Sequence, residues 1–113
     1  MATILKYQQT IKEVLKSYIE DVQRGNPNEE AYLISDDISM HYLLYHNEWR
    51  KNSSRSYGCI LHVRIKNEKV YVEYDGTDAA FADLFVEEGI PKDAIVLAFH
   101  APAKRPYTGF AVA

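Results

Sequence analysis

Cysteine occurs once, at Cys59, so no disulfide framework can form, and a reducing compartment is expected. A basic excess is also missing: 13 Lys and Arg against 16 Asp and Glu give a net charge of −3 and a pI near 5.8. Coating nucleic acid requires a basic surface that displaces counterions, so that general role is excluded, while a local basic patch is not. No continuous apolar stretch reads as a signal peptide or membrane span, and the expectation is a soluble cytoplasmic protein with no membrane contact. There is no P-loop, Gly-rich dinucleotide motif, Gly-x-Ser-x-Gly elbow, HExxH or CxxC spacing. Internal repeats and low-complexity tracts are absent too. What is present, 47% hydrophobic and 26% charged residues in a chain of 113, suits one compact domain spanning 1–113.

Apolar residues recur at Ile4, Tyr7, Ile11, Val14, Leu15, Tyr18, Ile19 and Val22, spacings that make one stripe on a helix. Thr3 is the expected N-cap, and Gly25 followed by Pro27 the stop. Two short runs, Ala31–Ile34 and Met40–His46, flank the turn signal Ser35-Asp36-Asp37 and predict a hairpin. A second hairpin is centred on 57–77. Tyr57, Cys59, Leu61, Val63 and Ile65 alternate with Gly58, His62 and Arg64; then Val70, Val72 and Tyr74 alternate with Tyr71 and Glu73. Asn67, which tolerates positive φ, lies in the polar link between them. Asp75-Gly76 breaks the strand, Thr77 is the expected cap of a second helix with Asp78 at its positive end, and Phe81, Leu84 and Phe85 form its buried face. Gly89 and Ile90 predict a Schellman ending, and Ile95–Phe99 a last buried segment. The fold class is therefore α+β: a long N-terminal helix packed on a mainly antiparallel sheet, with a second short helix.

The residues that could carry chemistry are few. His41 and His46 are five positions apart, on opposite faces of a regular strand, and His62 and His100 have no partner at a recognised ligand spacing, so no metal site is expected. Cys59 and His62, three apart, point to opposite faces of a regular strand, and Cys59 shares its face with Leu61 and Val63, which predicts a buried, inert thiol. Glu73, Asp75, Asp78 and Asp83 surround one turn, where carboxylates could collect a divalent cation. Asp75 is more simply a turn residue and Asp78 a helix N-terminal charge. Basic residues with aromatic neighbours occur twice, as Trp49, Arg50, Lys51 and Arg55, and as Lys104, Arg105 and Tyr107 after His100. If folding joins them they make a positive patch suited to phosphate or an acidic protein surface.

The segments Tyr57-Gly58-Cys59-Ile60-Leu61-His62-Val63, Asp75-Gly76-Thr77, Gly89-Ile90-Pro91-Lys92-Asp93 and Ile95-Val96-Leu97 with Phe99-His100 are followed by Pro106-Tyr107-Thr108 and Phe110-Ala111-Val112-Ala113. In this order and spacing the chain resembles, over nearly its whole length, the XisI family, the fdxN-element excision controlling factors of cyanobacteria. The resemblance implies a small α+β cytoplasmic protein. Such a protein acts with an XisH-like partner in programmed excision of a DNA element during heterocyst differentiation, while a separate site-specific recombinase breaks and rejoins the strands. It supplies no catalytic residue and no cofactor. The expectation is thus a non-catalytic accessory factor, not an enzyme, that binds its partner through Trp49, Arg50, Lys51, Arg55, His100, Lys104, Arg105 and Tyr107. Direct DNA binding at the element ends is the alternative, and a metal-dependent nuclease centred on Asp75 and Asp78 the third. A homo-oligomer is compatible with a small domain whose sheet must end in edges.

Overall fold

The computed structural model describes residues 2–113. Helix α1 (Ala2–Gly25) is followed by four strands in a meander, β1 (Glu29–Asp36), β2 (His41–Trp49), β3 (Arg55–Lys66) and β4 (Lys69–Asp75). Helix α2 (Phe81–Glu87) and a 3₁₀ turn at Lys92–Ala94 then lead to β5 (Ile95–Leu97), and a second 3₁₀ segment occupies Pro102–Tyr107. The sheet order is β1-β2-β3-β4-β5, antiparallel except for the parallel β4–β5 pair. The expected α+β architecture is what the chain adopts.

α1 runs longer than the apolar stripe predicts. Its 24 residues make a rod of about 36 Å at roughly 1.5 Å per residue. Thr3 lies inside it and caps nothing, and Asn26 still donates to the Val22 carbonyl at 2.9 Å before Pro27 forces the chain out of helical geometry. Tyr7, Ile11, Val14 and Leu15 are buried on the sheet together with Tyr42, Leu44, Leu61, Val63, Ile65, Val70 and Val72, and Phe81, Phe85, Ile90 and Ile95 close the same core. Each such large apolar side chain contributes about 1.5–3 kcal/mol when fully buried. One buried polar side chain in this layer, Gln8, donates to the Asp37 carbonyl at 2.9 Å and ties α1 to the β1–β2 turn. Lys12 and the Tyr42 hydroxyl both bind the Asp37 carboxylate, at 2.7 and 2.9 Å, and hold its pKa below the usual range.

Both expected hairpins form. The central one closes with positive φ at Asn67 and also at Glu68, between the paired residues Lys66 and Lys69. α2 begins later than expected, at Phe81. Its first free N–H is taken by Asp75, whose carboxylate accepts from Phe81 N at 3.2 Å as well as from the Thr77 N–H and hydroxyl at 2.9 and 2.6 Å. Thr77 therefore does not cap the helix; Asp78 precedes it, and the acid in its first turn is Asp83. The ending is of the Schellman type: Gly89 has φ +106°, and the Ile90 N–H reaches back to the Phe85 carbonyl at 3.0 Å.

Two register shifts decide which side chains face outward. Leu44 pairs with Leu61 but Tyr45 pairs with Cys59, so Ile60 is an extra residue on β3. Likewise Val63 pairs with Val72 but His62 with Tyr74, leaving Glu73 extra on β4. At each β-bulge the alternation slips by one. Ile60 and Leu61 both contribute to the helix side, and everything before Ile60 exchanges faces relative to a regular strand.

Candidate interaction surface

Both helices cover one face of the sheet. Among the described residues the opposite face over β1–β3 carries no helix, and the cross-strand pairs there place Tyr32 beside Tyr45, Asn47 beside Tyr57 and Trp49 beside Arg55. Tyr32 and Tyr45 stack with ring centroids 6.2 Å apart, and Tyr45 meets Tyr57 at 6.1 Å. The Arg55 guanidinium lies 4.2 Å from the Tyr57 ring centroid and 5.3 Å from that of Trp49, while its Nε donates to Asn47 Oδ1 at 2.6 Å. Four aromatic rings and one oriented cation thus form a continuous group across three strands. Trp49 remains 58% exposed and Tyr57 56%, so much of this group faces water. Tyrosine and tryptophan rings, with only two torsions each, and a guanidinium already held by Asn47 and two ring faces are large contact groups that lose little conformational entropy on binding.

The predicted contact residues divide into two sets that the fold keeps apart. Trp49 and Arg55 belong to the aromatic group. Arg50 and Lys51 are exposed in the adjoining turn, where Arg50 lies 4.0 Å from the Glu48 carboxylate. The other set sits beyond β5. Arg105 donates to the backbone carbonyls of His100 at 3.0 Å and Ala98 at 3.3 Å, so its guanidinium pins its own loop. His100 is half-buried with its ring 4.6 Å from that of Phe99, Lys104 is exposed and Tyr107 is 88% exposed. Among the described residues no hydrogen bond or ion pair links 49–55 with 98–107, and the single joined patch that the sequence allowed does not form.

Sequence reasoning missed Tyr32, Tyr45 and Tyr57 as surface groups. Alternation could have found the first two, because each is out of step with the buried Ala31 or Leu44. Tyr57 was hidden by the bulge at Ile60, which turns it outward. The same bulge corrects the reading of Cys59: it lies opposite Tyr45 on the open face with His62, half-buried, its thiol donating to the Leu61 carbonyl at 3.2 Å. The bulge at Glu73 likewise puts Tyr74, expected beside Val70 and Val72, on the open face opposite His62, 51% exposed.

The histidines behave partly as expected. His46 is on the helix side, bonded to Glu29 at 3.2 Å and Ser56 at 3.0 Å, and His41 is on the open side. The regular β2–β3 register from His41 to Leu44 sets His62 diagonally across from His41 on this face, with Nδ1 of His41 2.9 Å from Nε2 of His62. Burial, then the neighbouring His41, hold the His62 pKa below its ordinary value against the opposing pull of Glu73. Of the acids round the strand-to-helix turn, Glu73 bonds Arg64 at 2.7 Å and Asp75 has the three donors described above. Among the described residues no three His, Cys, Asp or Glu side chains gather as a metal site requires. A cavity of about 400 Å³ lies elsewhere, between α1 and α2, floored by Val14, Ala79 and Leu84 and rimmed by Glu13, Asp21, Glu87 and Glu88. None of the predicted contact residues lines it.

The comparison with protein families matches the XisI protein family over residues 1–112. Two solved structures share the fold over nearly the full length of both chains. One is a XisI-like protein from Anabaena variabilis ATCC 29413, 34% identical over 97% of this chain and 99% of that one, with a TM-score of 0.84. The other is the fdxN element excision controlling factor XisI from the same organism, 35% identical over 98% and 99%, with a TM-score of 0.78. A comparison with curated proteins finds no match.

Proposed function

Given that the chain belongs to the XisI family, we propose that it is a non-catalytic accessory factor of DNA-element excision that works by holding a partner protein, an XisH-like one. The observation that carries this reading is the Trp49–Arg55–Tyr57–Tyr45–Tyr32 group on the open sheet face. Tryptophan, tyrosine and arginine are the residue types that dominate protein–protein binding energy when partner contact desolvates them. The non-catalytic reading is supported by the acids of the strand-to-helix turn, since Glu73 and Asp75 already have partners within the fold. A lone unpaired cysteine suits a cytoplasmic setting. Among the described residues no helix is long and apolar enough to cross a membrane.

Co-purification of the protein with an XisH-like protein tests the proposal. The expected result is a complex weakened about tenfold or more by Trp49→Ala or Arg55→Ala, the loss typical of a binding hot spot. Arg105→Ala serves as the contrasting variant, because its guanidinium is engaged within its own loop. A wild-type protein that binds no XisH-like protein removes the named partner. Direct DNA contact is the second reading, favoured by Arg55 between two exposed rings on which unpaired bases could stack. It requires a mobility shift at low salt that weakens steeply as salt is raised and is reduced by Arg50→Ala or Lys51→Ala.

A further inference from the structure

The two edges of the sheet are finished differently. Beyond β5 the chain's own C-terminal segment covers the edge: Ala111 lies beside Val96, and its N–H donates to the Ile95 carbonyl at 2.8 Å. β1 pairs with β2 without interruption from Glu29 to Asp36, and among the described residues no strand lies on its other side. Backbone bonds from β1 to groups other than β2 occur at its two ends, where Glu29 N donates to the Asn26 carbonyl at 3.0 Å and the Asp36 carbonyl accepts from Met40 N at 2.8 Å. Between them Ala31–Ser35 presents alternate N–H and C=O groups outward, with no proline, lysine or bulge of the kind that blunts edge strands.

We propose that this edge takes up an added strand: an extended segment of a partner protein, apolar and β-branched in its centre and carrying Lys or Arg at both flanks. Main-chain pairing supplies the affinity in such strand addition, and alternate side chains supply the selectivity. The charges on β1 choose the occupant. Glu30 is exposed at one end; Asp36 lies at the other, its carboxylate bonded to the Ile38 N–H and the Ser39 hydroxyl, both at 2.9 Å, and among the described residues no cation pairs with it. A second copy pairing antiparallel about Leu33 would bring Glu30 directly opposite Asp36, like charge against like. A strand with basic flanks meets the reverse. Its outward side chains also meet Tyr32 and exposed Ile34, which continue into the Tyr45–Tyr57 group. The inference deepens the partner-binding reading by giving the chemistry of the bound segment.

The test uses a fluorescein-labelled peptide, Lys-Lys-Val-Thr-Val-Thr-Val-Lys-Lys, with the full chain. Fluorescence anisotropy should show saturable binding, and amide exchange should slow within residues 31–35. Glu30→Lys should weaken binding about fivefold at low salt, while Glu68→Lys, the same charge change in the far hairpin, leaves it unaltered. Methylating one of the two alternating sets of peptide nitrogens should abolish binding and methylating the other should not. Absent binding, equal effects of the two methylated sets, equal effects of the two lysine variants, or protection outside β1 would overturn the proposal. So would concentration-dependent self-association that protects β1 without peptide. Peptide uptake without an XisH-like complex would keep the edge proposal and remove the named partner; a complex formed with β1 unprotected would do the reverse.

Discussion

Replacing Asp75 by alanine separates a structural carboxylate from a catalytic one. In the fold this side chain accepts from the Thr77 N–H, the Thr77 hydroxyl and the Phe81 N–H, at 2.9, 2.6 and 3.2 Å. It therefore joins the end of β4 to the start of α2 and answers a donor that the helix itself cannot satisfy. A lost helix cap costs about 0.5–2 kcal/mol, and the Thr77 pair adds to that. Because the site is only half-buried, water recovers part of the loss, and the expected total is about 2 kcal/mol. For a domain of this size that corresponds to a fall in Tm of about 8 °C by calorimetry. Asp75→Asn keeps one carbonyl oxygen, which cannot serve both Thr77 and Phe81, so it should fall about midway. Urea unfolding should show a lower midpoint with an unchanged slope, since the same surface is exposed on unfolding. The Tyr32–Tyr57 surface lies across the sheet, so partner binding by the folded variant should be unaffected. An Asp75→Ala protein as stable as the parent would refute the structural role. The carboxylate would then be free for other work, and magnesium-dependent nicking of DNA would be the activity to look for.

Three further perturbations follow from the same geometry. Gly58→Ala should cost about 1–3 kcal/mol in urea unfolding although nothing lies within 4 Å of the added methyl, because the backbone there has φ +147°. Phe85→Ala, which empties a fully buried position between α2 and the sheet, should cost about 3–5 kcal/mol, a large share of the roughly 5–15 kcal/mol of an ordinary domain, and lower the urea midpoint accordingly. The lowered pKa of His62 means that the unfolded chain binds its proton more readily than the folded one. The contribution of His62 is therefore fully present above about pH 6.5 and lost as the pH falls through the folded-state value. Thermal melts at pH 5 and pH 8 should differ less in His62→Gln than in the parent, and equal differences would remove the burial of His62 beside His41 as a source of pH dependence.

The amphipathic period of α1, the Asn67 turn, the Schellman ending at Gly89 and the role of Asp75 as a turn residue were all legible in the chain, because each depends on residues close together in sequence. Spacing of three and four builds a stripe on any helix, and a positive φ selects Asn or Gly locally. Family membership was equally legible, since it rests on ordered short motifs spread over the whole length. The faces of β3 and β4 were not. One extra residue in a strand exchanges inside for outside beyond it, and whether a residue is extra is defined only by the partner strand. Ile60 and Glu73 became bulges through pairing with β2 and β3, and those bulges turned Tyr57, Cys59 and Tyr74 outward, while the regular register of β2 on β3 brought His62 to His41. Distance across the sheet also separated the two basic segments and engaged Arg105 within its own loop. Local sequence determined the elements and the family; long-range register decided which side chains a partner could meet.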